Sequence, residues 1–403
     1  FVLEGLPLST QQHATVNITM EVGQVVEEVT VQGRAQMLEA SSSTLSAVVE
    51  NKRIVDLPLN GRNIYTLTSL VPGVFQTRTT GGVDDTFYGH HFIVNGGQES
   101  TSDIMLDGVT ATVAHNIPTI SAISAIPSVE GIQEFRIQTN AYSAEYGRSG
   151  GGLVTMVTKS GTNEPHGSLF EFLRNSKLDA NNFFANSTGT KLASFKRNQF
   201  GASLGGPVLL PRLYDGRNRT FFFFNYEAMR KRQAQLAQHT VPSDLERQGD
   251  FSQTLNSSGQ VIRVYDPFST RPDPARSGYF IRDLFPGNRL PTARLNPVAL
   301  AIQKYYPNSN SAGRAFTRQQ NLILQKAYPE PQDRYETKAD HQFSSNRRLM
   351  GRYTFMDSIY SKPNYWGNIA DPGCCEPMFQ RLQNAMLDYT HVLGAHGVLN
   401  VRY

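Results

Sequence analysis

Residues 130–161 read EGIQEFRIQTNAYSAEYGRSGGGLVTMVTKSG. In residues 135–139, Phe135, Ile137 and Thr139 fall on one face and Arg136 and Gln138 on the other, the period-2 signature of a strand. The pattern breaks at Tyr146-Gly147-Arg148-Ser149-Gly150-Gly151-Gly152. Four glycines in six residues make a backbone that can turn tightly or let another surface approach closely. Leu153–Thr158 then resumes as an uncharged, β-branched run, which reads as a strand buried on both faces. Strand, glycine loop, strand is also what an ordinary hairpin would spell.

Composition narrows the class. The chain has 403 residues, enough for more than one domain and a large core. Charged residues are 18%, below the usual quarter, while 23 Phe, 17 Tyr, 33 Gly and 21 Pro make a strand-and-turn vocabulary. A net charge of +4 over this length is too mild to argue for nucleic acid. The only cysteines, Cys374-Cys375, are adjacent and draw no disulfide framework; they read as a loop feature, with a strained vicinal bridge as the other possibility. No run approaches the ~18 consecutive apolar residues of a transmembrane helix, which leaves β-barrel strands open because their alternating signal is weak. The absence of Met and of a charged–apolar leader at Phe1 implies a signal peptide removed or lying upstream if the protein is exported.

From the N-terminus, Val16, Ile18, Met20 and Val22 alternate with Thr15, Asn17, Thr19 and Glu21 as one half-buried strand. Glu27, Glu28, Val29, Thr30 and Val31 form an acidic, β-prone segment suited to pairing with a sheet edge, or else a last strand of the preceding unit. The serine-rich 33–46 reads as a linker. Asn60-Gly61 marks a turn, and Ile64, Leu67, Thr68 and Val71 share a helical face closed by Pro72-Gly73. His90-His91 lacks a third metal ligand. Residues 92–108 read as two short strands around Gly96-Gly97, ending in Asp107-Gly108, whose chemistry is that of a turn rather than of a catalytic acid.

From Pro165 onward the texture is alternation. Phe200, Ala202 and Leu204 oppose Gln199, Gly201 and Ser203; Phe222, Phe224 and Tyr226 share a face. Tyr335, Thr337, Ala339, His341 and Phe343 alternate with Glu336, Lys338, Asp340 and Gln342. After a tight turn at Asn346-Arg347 the pattern resumes in Leu349, Gly351, Tyr353 and Phe355. It returns in Ala385, Leu387, Tyr389, His391 and Leu393, then in Leu399, Val401 and Tyr403. An apolar, aromatic face opposite a charged face suits a wall between lipid and a watery lumen, with Lys338 and Asp340 expected in water. A soluble sandwich also alternates, but it needs turns at regular spacing. Here one short turn contrasts with a very long connection at 233–330, abnormal within a compact soluble domain.

These phrases carry a resemblance. "IQEFRIQTNAYSAEYGRSGGGLVTMVTKSG", "LPLNGRN…LVPGV" and "IVNGGQESTSDIMLDGVTAT" resemble the plug of TonB-dependent outer-membrane receptors, more narrowly the Oar-like subgroup. "HATVNITMEVGQVVEEVTVQG" resembles the end of the carboxypeptidase-regulatory-like sandwich that precedes some of them. The implied fold is an α+β plug with a small mixed sheet, then the first strands of a transmembrane antiparallel β-barrel, with a truncated β-sandwich tail at the N-terminus. The implied boundaries are 1–26 for that tail, 27–46 for a TonB-box-like segment and linker, 47–162 for the plug and 163–403 for an incomplete barrel. Plugged transporters have about 22 strands, and only about seven are found after residue 165, so the chain reads as a fragment.

The resemblance implies a receptor that imports an external ligand (siderophore, glycan or peptide) with energy from the inner membrane, and an outer-membrane location with the plug facing the periplasm. Its partners would be a TonB-type periplasmic protein at Glu27, Glu28, Val29, Thr30 and Val31, and outer-membrane lipid. Tyr146, Gly147, Arg148, Gly150, Gly151 and Gly152 would supply backbone freedom, with Arg148 and Glu145 as candidates for charge pairs with the wall. The alternative on the same scaffold is an adhesin or an export pore. No nucleophile set, metal-spaced cluster or phosphate cradle stands out, so neither an enzyme nor a cofactor is expected.

Overall fold

A computed structural model describes residues 45–57, 59–76, 92–98, 101–113, 122–140, 142–147, 149–187, 191–361, 363–371, 377–394 and 396–403. The expected sandwich tail, the segment from Glu27 to Val31, His90-His91, Arg148 and Cys374-Cys375 lie outside the described residues.

The first unit is a five-stranded sheet. Its strands are β1 (Leu45–Glu50), β2 (Asp103–Leu106), β3 (Val109–Thr110), β4 (Ile132–Asn140) and β5 (Leu153–Thr158). Their spatial order is β1-β4-β5-β2-β3, with β2 and β5 parallel and the other pairs antiparallel, a small mixed sheet. A short helix α1 (Asn51–Asp56) and a 3-10 turn (Ile64–Leu70) cover it. Asn63 caps that turn by accepting from the Tyr65 N–H at 3.0 Å. The apolar core gathers Ile54, Ile64, Leu67, Ile104, Leu106, Phe135, Ile137, Val154 and Met156, all without solvent exposure. Each such side chain contributes roughly 1.5–3 kcal/mol of burial. The run from Leu153 is buried on both faces because β4 and β2 flank it and packed layers cover it.

The second unit is a seven-stranded antiparallel meander in chain order. It comprises β6 (His166–Asn175), β7 (Phe195–Pro207), β8 (Thr220–His239), β9 (Leu322–Ser344), β10 (Arg347–Ser361), β11 (Pro377–Val392) and β12 (Val398–Arg402). The sheet is open and closes into no barrel among the described residues. The connections after β6, β8 and β10 leave from one end of the sheet, and those after β7, β9 and β11 leave from the other. Among the described residues no helix is long and apolar enough to cross a membrane, so strands are the elements available for crossing.

Two expectations need correction. The long connection is 240–321, not 233–330. The ladder between β8 and β9 continues from Gln233↔Tyr328 to His239↔Leu322 through the polar run KRQAQLAQH. This part of the ribbon carries polar residues on both faces, so its alternation fades although its pairing does not. The loop itself is folded: Ser243 and Glu246 form a capping box, and Asn296 and Pro297 start α2 (Pro297–Gln303).

The second correction concerns polarity. Lys338 and Asp340 are not in water; they are 6% and 5% exposed. With Glu227, Lys231, Glu330, Arg334, Glu336 and Arg352 they make a buried charged face. The opposite face exposes Phe224, Tyr335, Tyr353, Leu387 and Val401. Charge inward and aromatics outward invert the arrangement of a soluble sheet and match a lipid-facing wall. The inward charges are buried because the five-stranded sheet is seated against them.

Candidate functional site

The seat of the small sheet on the wall is the candidate site. Its first contact is the turn between β2 and β3. Asp107 and Gly108 take φ of +51° and +80°, consecutive left-handed residues that suit a two-residue hairpin turn. The turn also aims the Asp107 carboxylate at the wall. Asp107 accepts from the Thr158 N–H at 2.9 Å and from Thr158 Oγ1 at 2.8 Å, tying β2 to β5. Arg352 Nε of β10 lies 2.8 Å from it and Lys338 Nζ of β9 lies 3.7 Å away. Lys338 also donates to the Thr158 carbonyl at 3.1 Å. Arg352 donates to Asn384 Oδ1 at 2.8 Å, and Asn384 donates to Ser124 Oγ at 3.0 Å. Arg402 of β12 reaches the Gly108 carbonyl at 3.1 Å.

The second contact centres on Arg62, which follows the Asn60-Gly61 turn. Its guanidinium pairs with Glu130 at 3.1 Å and faces Glu227 of β8 at 3.7 Å. It also lies over the rings of Phe170 and Phe172 on β6, at 4.4 and 4.6 Å. Ser128 donates its hydroxyl to Glu227 at 2.6 Å and its N–H to Glu336. Arg334 lies 3.9 Å from Glu227, and Gln199 donates to the Gly61 carbonyl at 3.0 Å. Both contacts are mixed-sign and water-poor. Such pairs gain little net stability over an apolar contact, but losing one partner strands a buried charge at a cost of about 3–5 kcal/mol. They therefore specify one seating of the sheet on the wall.

Within the small sheet's unit, Tyr65 and Lys159 have displaced proton affinities. Burial raises the Tyr65 phenol, whose hydroxyl donates to the Ala125 carbonyl at 3.0 Å. Burial lowers Lys159, against the opposing pull of Glu130 and Glu336.

The glycine loop packs closely. Gly150 and Gly151 donate N–H bonds to the Thr101 carbonyl at 2.9 and 3.1 Å. A Cβ on Gly151 would meet Ser102 Oγ at 2.9 Å, and one on Gly152 would meet Val94 Cγ2 at 2.9 Å and the Gln138 carbonyl at 3.1 Å. Gly147 faces open space, and Tyr146 beside it is half-buried. Glu145 is exposed and pairs with no wall residue among the described ones. Among the described residues, the ion pairs between the small sheet's unit and the wall are made by Asp107 and Arg62, neither of which the sequence singled out for that role. Their signal was present only as mixed-sign charge alternating along β8 and β9.

No cluster of metal-ligating side chains occurs among the described residues. The chain resembles known proteins as follows. Residues 157–403 match the family described as outer membrane beta barrel domain. The TonB-dependent transporter Oar of Myxococcus xanthus is 29% identical over 217 residues, which is 50% of this chain and 19% of that protein. The crystal structure of the outer membrane transporter YddB from Escherichia coli aligns with a TM-score of 0.50 and 13% identity, over 87% of this chain and 37% of that one. The chain thus spans well under half the length of either, and the likeness to YddB shows the fold alone. These relatives are transport proteins rather than enzymes, and the family is one of the outer membrane. With a wall that is apolar outside and charged inside, the chain belongs to the outer membrane beta barrel domain family.

Proposed function

We propose that this chain is the plug and the first seven wall strands of a TonB-dependent receptor of the Oar-like subgroup, which imports an external ligand. The observation that carries the reading is the buried ionic seating of the small mixed sheet on the inward face of the wall. A plug held by paired charges is firmly placed yet separable, because water entering the seam solvates each released ion. No covalent chemistry is needed. The ligand, a siderophore, glycan or peptide, is taken from outside at the end carrying 176–194, 240–321 and 362–376. A TonB-type periplasmic protein pairs with Glu27, Glu28, Val29, Thr30 and Val31 and pulls. The pull arrives at β1, which among the described residues is an edge strand bonded to β4 alone, while Asp107 holds the far side of the sheet. The proposed division is a carboxypeptidase-regulatory-like tail at 1–26, box and linker at 27–46, plug at 47–162 and wall from 163.

The test is deletion of residues 27–31 in the full-length protein. Energy-dependent uptake is lost while ligand binding to the cell surface remains. Uptake at the undeleted rate removes the box assignment.

A further inference from the structure

Among the described residues, two cations on the lipid-facing side of the wall have no carboxylate at ion-pair distance. Lys196 on β7 and Arg232 on β8 are direct cross-strand partners. Their positions share the parity of Phe200 and Leu204 and of Phe224 and Tyr226, so both point outward. Both are exposed, and neither meets a carboxylate at ion-pair distance among the described residues. Like charges placed directly opposite on neighbouring strands repel. The next outward cation down the strand is arranged differently: Arg230 is satisfied by Asp333 at 2.8 Å.

Their height matters. On β8 the outward series runs Phe222, Phe224, Tyr226, Ala228, Arg230, Arg232. Ten residues at ~3.3 Å each, on a strand tilted by ~40°, rise roughly 25 Å, about the height of the apolar band of such barrels. The pair therefore stands where the headgroup layer begins. Just above it, a groove of about 830 Å³ opens between the 176–194 connection and the β8–β9 ribbon. Its lining includes Leu178, Asn181, Asn182, Lys191 and Leu236, and also Asp179, whose carboxylate is paired with Arg174 at 3.6 Å. Lys191 adds a third exposed cation, and the asparagines and leucines offer hydrogen bonds beside apolar surface.

We infer that Lys196 and Arg232, with Lys191 in the groove above, form a seat for one anionic lipid whose headgroup carries phosphate. The phosphate bridges the two opposed cations and relieves their repulsion. The acyl chains lie down the aromatic face below, and the rest of the headgroup enters the groove. The seat does not depend on what the receptor imports.

The experiment is native mass spectrometry of the full-length protein in detergent. The probe is a bis-phosphorylated glucosamine lipid; phosphatidylethanolamine and inorganic phosphate are controls. The wild type retains one probe lipid. Lys196→Gln with Arg232→Gln weakens retention about 25-fold, at about 1 kcal/mol per cation near an anionic lipid and tenfold per 1.4 kcal/mol. Lys196→Arg with Arg232→Lys restores it, and heat-modifiable migration confirms that each variant is folded. Equal retention by the Gln variant, no retention by the wild type, or equal binding of phosphatidylethanolamine or of free phosphate overturns the assignment.

Discussion

Asp107→Asn is the substitution that tests the seating most directly. The side chain keeps its shape and its turn, so the change is one of charge. Arg352 and Lys338, with side chains 1% and 6% exposed, would then be buried cations without their carboxylate. Stranding a buried partner costs about 3–5 kcal/mol. The Thr158 N–H donates to this same carboxylate, so its exchange with solvent reports the contact. At 1.36 kcal/mol per decade, protection of the Thr158 amide should fall on the order of a hundred- to several-thousand-fold in the purified full-length protein. Adding Arg352→Gln removes the stranded guanidinium and should recover part of the loss, with a coupling of about 1–3 kcal/mol. A loss below about 1 kcal/mol, or additivity of the two changes within about 0.5 kcal/mol, would refute the argument that this pair registers the small sheet on the wall.

Gly152→Val should destabilise the small sheet by about 1–3 kcal/mol because an added Cβ would meet Val94 and the Gln138 carbonyl, whereas Gly147→Ala, facing open space, should change stability by less than about 0.5 kcal/mol; thermal unfolding of the two variants separates them. Gly131→Ala places a methyl against the Glu336 carboxylate and should loosen the Ser128 contact, read as faster exchange of the Ser128 amide. Thr337→Arg, on the lipid face between Phe224 and Tyr353, should cost about 2–4 kcal/mol in refolding into bilayers, against about 0–1 kcal/mol for Gln325→Arg beyond the band; equal costs would contradict the assignment of faces. In the long loop, hydrogen bonds from Arg294 and Arg271 hold the Asp266 and Asp283 carboxyls below their ordinary value. Their depressed values mean this contribution is full above about pH 4 and is lost as pH falls through them. Proteolysis of 240–321 should therefore be unchanged from pH 7 to 5 and rise only in stronger acid; loosening already between pH 7 and 5 would contradict it.

What could be read from the chain alone was whatever a few neighbouring residues decide. Period-2 spelling announced the strands of the meander, and the β-branched run from Leu153 announced a strand covered on both sides. Asp107-Gly108 was legible as a turn because positive φ is a local demand. What the charges face was not legible. Glu336, Lys338 and Asp340 alternate with aromatics identically whether their face meets a watery lumen or another folded unit. Only the packing of β2–β3 and Ser128 against β8, β9 and β10 turns that face into a buried set of ion pairs. The true reach of β8 and β9 was hidden for a related reason: beyond the lipid, pairing is held by backbone hydrogen bonds that side-chain pattern does not encode. Sequence determined that this chain builds a small sheet followed by the alternating strands of an outer-membrane wall. Tertiary structure decided that Arg62 and Asp107 hold one to the other, because an ion pair is a matter of distance in space and its partners lie far apart along the chain.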